Sequence, residues 1–599
     1  MKRIILIVNC TLLIVHCAFS QDTTLTRNVT VEREFQPIVQ SAGKINVRPK
    51  VQETTLPAAE VVYSDYNAAL SPAFNTNSLL SQPMRFTTPH QYNGYVRGGF
   101  GHTNTLFDFG YRLDDQKNSI LDVYANHRAE WGRRANSNTR IGFDFRHPFS
   151  TCDLYFGVCG ANRFYTRYGR YYDGDKGLTA AHYRDLQPED KQNIWTVDAF
   201  AGVKSNNKSD IQYQAQVGYT LFALPDYVSE HQVRTTVNID WSSDAHHVGG
   251  NIFVQNAFLQ TDQVADTLFN SRHALRIEPY YAYLGRRFSI HAGVNFDINI
   301  GRGQFLSNLD QVTFAPSPKV EFEAQIAKKW LTMYGIAQGS LNTGTLQAYM
   351  ASMPYCAIDP GITSHHVGGY TPIDAQLGFR IRPYRDLLID IYGGYAYQKN
   401  KITTVATVDS VTVAGVPILP GTFTYFYGDY SRGKIGAAFS YHYQDIIAIH
   451  LWGNYYFWQS FRQENIENGY FTKPGYSVPV RADGVYDRAA WDMGLRIDAR
   501  IDKHWSLYSD NRFSGSRIAL VSMPDANGSY ERTLKPTIQL SLGCQYETVV
   551  GSKSFREKTT QPNLVVFFQL NNYIHRHNDI WYGYQSEGIN FLMGVTYKF

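Results

Sequence analysis

The residues best suited to chemistry in this sequence are arginines and tyrosines interleaved at Arg163, Tyr165, Arg167, Tyr168, Arg170 and Tyr171. Guanidinium forks pair with carboxylate and phosphate, and aromatic faces stack on sugars and cations. The run is therefore the candidate external ligand loop, suited to a sugar, a peptide or lipopolysaccharide. Its first half also reads as an aromatic strand extension leaving a membrane. Histidines come in pairs, at His246-His247, His365-His366 and His575 with His577. A metal site needs more converging ligands than two. Phosphate-loop, HExxH, paired CxxC and GxSxG patterns do not occur. The expectation is a protein that is not an enzyme, with no catalytic residues, no metal and no cofactor.

The elements that must position this loop follow from composition and periodicity. Of 599 residues, 15% are aromatic and only 18% are charged, against roughly 25% charged in ordinary globular chains. Tyrosine and phenylalanine favour a pleated, half-buried surface, so the bias points to an all-β protein. Mean hydropathy is −0.33, and no run after the leader approaches the roughly 18 apolar residues of a membrane helix. Met1 to Ser20 reads as a signal peptide: Lys2 and Arg3, an apolar run over Ile4–Val15, then Ala18-Phe19-Ser20. Its loss lowers the formal charge of +4, leaving no basic field and no expected nucleic-acid partner. Cys152 and Cys159 fall on opposite faces of one predicted strand, so neither they nor Cys356 and Cys544 form a disulfide framework. Residues 21–85, with Pro37, Pro49, Pro57, Pro72 and Pro83, read as an extended segment in the periplasm or lumen.

From Tyr92 onward, within an expected barrel of residues 86–599, the chain alternates apolar and polar side chains over long runs. In 288–301, Phe288, Ile290, Ala292, Val294, Phe296, Ile298 and Ile300 share one face, opposite Ser289, His291, Asn295, Asp297 and Asn299. Runs of this length exceed ordinary soluble strands and suit tilted strands crossing a bilayer, about 9 to 11 residues each. Short turns, from Asp114–Ser119 to Asp502–His504 and a longer one near 548–563, alternate with long connections. That asymmetry predicts a transmembrane antiparallel β-barrel of 22 strands, with short periplasmic turns and long external loops. The stretch 401–431 reads as a hairpin rising above the membrane; if it crossed, the count would be 24. Trp131, Trp195, Trp241, Trp330, Trp458 and Trp505 fall at predicted strand ends, where interfacial girdles sit. Glu321, Glu323, Asp374, Arg380, Arg382, Asp492, Arg496, Asp498 and Arg500 lie on the polar faces, with charges opposed so as to pair across the interior. A lumen this wide must be closed, by residues 21–85, by inward loops or by a partner.

The end of the chain carries a resemblance. Trp581-Tyr582-Gly583-Tyr584, Gly588-Ile589-Asn590-Phe591 and Gly594-Val595-Thr596-Tyr597-Lys598-Phe599 resemble the close of TonB-dependent receptor barrels of the Bacteroidetes type. The resemblance covers 86–599 as architecture and 581–599 as motif. It implies an integral outer-membrane barrel for substrate uptake or ligand reception. Residues 21–85 are too few for that family's full plug. Thr26-Arg27-Asn28-Val29-Thr30-Val31 resembles a TonB box, which would make TonB or another envelope protein the partner of residues 21–85. The resemblance also implies that the last strand, with Phe591, Met593, Val595, Tyr597 and Phe599 on its lipid face, is the signal taken up by barrel-assembly machinery. The alternative is a non-transporting barrel, a scaffold or accessory subunit of an outer-membrane complex.

Overall fold

The structure is a computed structural model. It describes residues 92–599 apart from 115–118, 133, 170–190, 207–209, 226–227, 261–271, 303–309, 328–329, 343, 358–368, 408–410, 414–415, 419–420, 445, 465, 468–469, 474–475, 525–526 and 552–561. The expected signal peptide, the segment 21–85 and Thr26–Val31 lie outside the described residues, as do Arg170, Tyr171, His365 and His366.

Alternation becomes strand because its two faces meet different solvents. Along Phe288–Arg302 the outward face carries Phe288, Val294, Phe296 and Ile300, all exposed, while Asn295 and Asp297 are buried inside. Twenty-two such strands, 8 to 21 residues long, form the barrel wall, each antiparallel to the one before. The last closes on the first: Asn590–Lys598 pairs with Gly94–Gly101, from Tyr95 opposite Lys598 to Gly101 opposite Leu592. Reciprocal 2.9 Å backbone bonds between Gly94 and Phe599 complete the final rung. Closure leaves the wall without an unpaired edge, the condition a sheet must meet in hydrocarbon. Met593, Val595, Tyr597 and Phe599 face outward and Phe591 is partly covered, while Leu592, Thr596 and Lys598 are buried on the lumen side.

The predicted count holds because 401–431 does not cross. Leu387–Ala406 and Phe423–Tyr443 pair with each other from Leu387 opposite Tyr441 up to Ala406 opposite Phe423. The ladder slips between Gln398 and Lys401, where Asn400 takes φ 53° and its N–H donates to Asp429 at 2.9 Å. This bulge bends the hairpin as it rises out of the wall. Trp131, Trp195, Trp241, Trp330 and Trp505 face outward at the strand ends, but Trp458 does not. Its partner in register is the buried Arg432, so it points inward, its indole N–H donating to the Ala489 carbonyl at 3.0 Å. Phe457 takes the outward place. The alternation there runs one residue out of step with the expectation.

The inner face differs from expectation in one respect. Its charges pair along the wall rather than across the lumen: Arg380 with Glu323 at 3.2 Å, Arg432 with Asp374 at 3.0 Å, and Arg496 with Asp498 at 2.8 Å. Asp492 accepts from Asn454 at 2.9 Å and from Tyr456 at 3.2 Å. Neighbouring strands bring these side chains within reach, whereas a lumen of this width does not. Tyrosine and glycine are abundant together because they pair across strands. Tyr334 lies over Gly378, Tyr392 over Gly436 and Tyr508 over Gly543, each directly opposite in register. Among the described residues, Cys152, Cys159, Cys356 and Cys544 are not joined to one another in disulfides.

Candidate functional site

At the end bearing the long connections, external in barrels of this kind, the loops turn inward and share one apolar core. Tyr165, Ile194, Phe222 and Val228 enter it from the fifth to eighth strands, Phe423 and Tyr425 from the sixteenth, and Trp581 and Tyr584 from the last connection. Strands so far apart in the order of the wall stand on opposite sides of the barrel. Their side chains therefore meet over the mouth. The described loops form a cap.

A short helix, Leu346–Ser352, is the strut of this cap. Thr345 caps it by accepting from the Ala348 N–H. Leu346, Tyr349, Met350 and Met353 fall at helical spacing and are all buried. At one end the fully buried Glu230 carboxylate accepts the N–H groups of Leu346 at 2.9 Å and Gln347 at 3.0 Å. Gln232 donates to it as well, at 2.9 Å, and Gln255 donates to Gln232. At the other end Phe423 N–H donates to the Tyr355 carbonyl at 3.1 Å, and Ala357 N–H donates to the Phe423 carbonyl at 2.9 Å. The strut thus ties the eighth strand to the sixteenth.

Aromatic rings lock the centre. Tyr355 stacks on Tyr584 with centroids 3.8 Å apart, and Tyr168 meets both edge-on at 6.0 and 5.0 Å. Tyr165 meets Tyr355 at 5.7 Å, and Phe423 lies 5.4 Å from Trp581. Such pairs contribute about 0.5–1.5 kcal/mol each beyond the area they bury. The hydroxyl of Tyr584 donates to the Gly421 carbonyl and that of Tyr165 to the Pro354 carbonyl. Tyr168 donates to the Gln585 carbonyl at 3.2 Å. Burial pushes the Tyr168 phenol up to about 12 and those of Tyr355 and Tyr584 well above the ordinary value. These phenols stay neutral donors.

The structure places the sequence-derived ligand residues as follows. Tyr165 is buried in the cap core and Tyr168 is partly buried beside it. Arg163 lies 5.6 Å from the Tyr165 ring, and Arg167 is buried next to these tyrosines. The histidine pairs do not converge. His246 and His247 open a strand on opposite faces, bonded to Tyr281 at 2.7 Å and Asp240 at 3.0 Å. His575 and His577 sit edge to face at 5.4 Å in the last connection. Among the described residues, no three His, Cys, Asp or Glu side chains gather in a metal-binding group. Sequence reasoning missed Glu230 and the strut. The strut had a visible signal, a Thr345 cap before apolar residues at helical spacing.

No family model matches the chain, and no curated protein matches it. Solved structures do. The FrpB iron transporter from Neisseria meningitidis (F3-3 variant) aligns with a TM-score of 0.62 at 8% identity, over 86% of this chain and 82% of that one. The ferric-catecholate import receptor Fiu from K12 E. coli gives 0.59 at 9% identity, over 85% and 82%. The copper transporter OprC gives 0.58 at 11% identity, over 85% and 80%. The fold is that of a TonB-dependent receptor barrel. At such identities the likeness concerns the fold alone. The arrangement that belongs to this chain is the cap: a barrel wall of that kind with its external mouth crossed by a strut and an aromatic core.

Proposed function

We propose that this protein is an outer-membrane barrel for substrate uptake or ligand reception, of the TonB-dependent-receptor kind, with a plug reduced to residues 21–85. The observation that carries this reading is the capped 22-strand barrel. The wall encloses a passage wide enough for a bulky solute, and the cap that crosses it is built from loops rather than from the wall. Loops can move without breaking the strand ladder. The lipid-facing residues Phe591, Met593, Val595, Tyr597 and Phe599 are assigned as the signal for barrel-assembly machinery, and residues 21–85 as the contact for TonB or another envelope protein. The fold neighbours' names, iron transporter, copper transporter and import receptor, support uptake as the class of function. A non-transporting scaffold or accessory subunit is the second reading, favoured by the cap core itself, whose Tyr584 is as buried as a residue at the centre of a soluble domain.

Planar-bilayer conductance separates the two. The native chain is expected to be nearly insulating. Loosening the cap with Tyr584→Ala and deleting residues 21–85 together should open large, stable conductance steps. If each change alone and both together leave the barrel insulating, no passage exists and the scaffold reading stands. Proteins retained with the chain in mild detergent would then identify what it supports.

A further inference from the structure

Arg167 is out of place in the cap. Its side chain is nine-tenths buried, and its Nε has no hydrogen-bond partner among the described residues. Among the described residues no carboxylate forms an ion pair with it. The groups around it are the phenols of Tyr165 and Tyr584, both spent as donors to backbone carbonyls and both held neutral by burial. They cannot supply a counter-charge. The acids near Tyr168, Glu130 and Glu587, form no ion pair with Arg167; Glu130 accepts from Asn136 at 2.7 Å and Glu587 from Thr103 at 2.7 Å. Burying a guanidinium without an anion is costly, and packing alone would be served as well by methionine or leucine. Two further arginines stand at the same rim, Arg134 5.5 Å from the Tyr168 ring and Arg163 5.6 Å from the Tyr165 ring.

We propose that Arg167, with Tyr168, is a recognition site in the external cap for a ligand bearing a carboxylate or a phosphate. The anion takes the guanidinium's open edge, and the partly buried ring of Tyr168 takes the body of the ligand, backed by the buried Tyr584. Arg134 and Arg163 draw it toward the mouth. The inference rests on the receptor reading, but its test involves no transport.

The test uses the full chain in detergent, with sodium phosphate and sodium glucuronate as probes against sodium chloride at equal ionic strength. The readout is amide hydrogen exchange in 160–169 and 578–586. One or both probes should slow exchange saturably, by about tenfold at ten times the dissociation constant, while chloride does not. Phosphate alone would assign a phosphate-bearing ligand, and glucuronate alone a carboxylated one. Arg167→Met should abolish the response without speeding exchange in the absence of probe, since no hydrogen bond to a described residue is lost. Arg167→Lys should keep a weakened response and serves if the methionine variant fails to assemble. The proposal is overturned if neither probe acts, if Arg167→Met responds as the native chain does, or if that variant alone exchanges much faster, which marks a structural role. A barrel that stays insulating in every variant of the conductance test, with anion binding intact, would overturn the uptake reading instead.

Discussion

Replacing Glu230 by alanine should release one end of the strut and leave the barrel wall intact. The carboxylate is fully buried and accepts two strut N–H groups and the Gln232 amide, all within 3.0 Å. Alanine leaves those N–H groups buried without an acceptor, at roughly 1–3 kcal/mol each. Arg272, also buried, faces the same carboxylate and loses that attraction. The Thr345 cap to Ala348 N–H survives, at 3.2 Å. The sum is about 3–5 kcal/mol against local closure, or at least roughly a hundredfold in the opening equilibrium, since about 1.4 kcal/mol is a factor of ten. Hydrogen exchange in 344–357 should accelerate by that factor, with strand amides in 211–224 and 288–300 unchanged. Glu230→Gln keeps one acceptor and should fall between. If 344–357 in the alanine variant exchanges within about threefold of the native rate, well under 1 kcal/mol, Glu230 does not hold the strut and the cap depends on its aromatic core alone.

Deleting Phe599 removes the last reciprocal rung with Gly94 and the ring stacked 5.9 Å from Tyr111; assembled, heat-modifiable protein should fall, and normal membrane-inserted levels would count against the assembly role. Gly378→Ala would put a methyl 2.5 Å from Tyr334, whose hydroxyl is held by Asp390 at 2.9 Å. It should destabilise the wall by about 1–3 kcal/mol, read as a lower urea midpoint in detergent, and unchanged unfolding would show that the ring moves freely. Asp487 lies in an external connection, and desolvation raises its carboxyl above the ordinary carboxylate range, against a Thr404 hydroxyl bond and the nearby Arg517 and Arg488. The folded state therefore binds the proton more tightly. Stability from this group is present below the unfolded pKa and lost as pH rises through the folded one. Protease resistance of 480–490 should increase on mild acidification, and Asp487→Asn should flatten that trend; an unaltered trend would assign it to another group.

Much of the wall was legible in the sequence, because a strand crossing a bilayer has only two environments and the side-chain period is two. The residues of 288–301 and 590–599 state their faces without help from any neighbour. Short turns were equally local, since the chain must reverse within a few residues. Where two strands rise above the membrane the rule weakens: Thr403, Thr404, Val405 and Ala406 are all buried, covered on both faces by loops, so alternation disappears. Trp458 was misplaced for a related reason, because at a strand end one residue decides which face a ring takes.

What the sequence determined by itself is the wall, a closed 22-strand barrel with an apolar outside and a polar inside, since each residue's solvent is set by its parity along its own strand. What only the tertiary structure decided is the mouth. Tyr165, Glu230, Tyr355, Phe423 and Tyr584 are separated by up to hundreds of residues and lie at strand ends above the wall or in the connections, where no period marks them. They become one core only because closing the barrel brings opposite strands to face each other across the same opening.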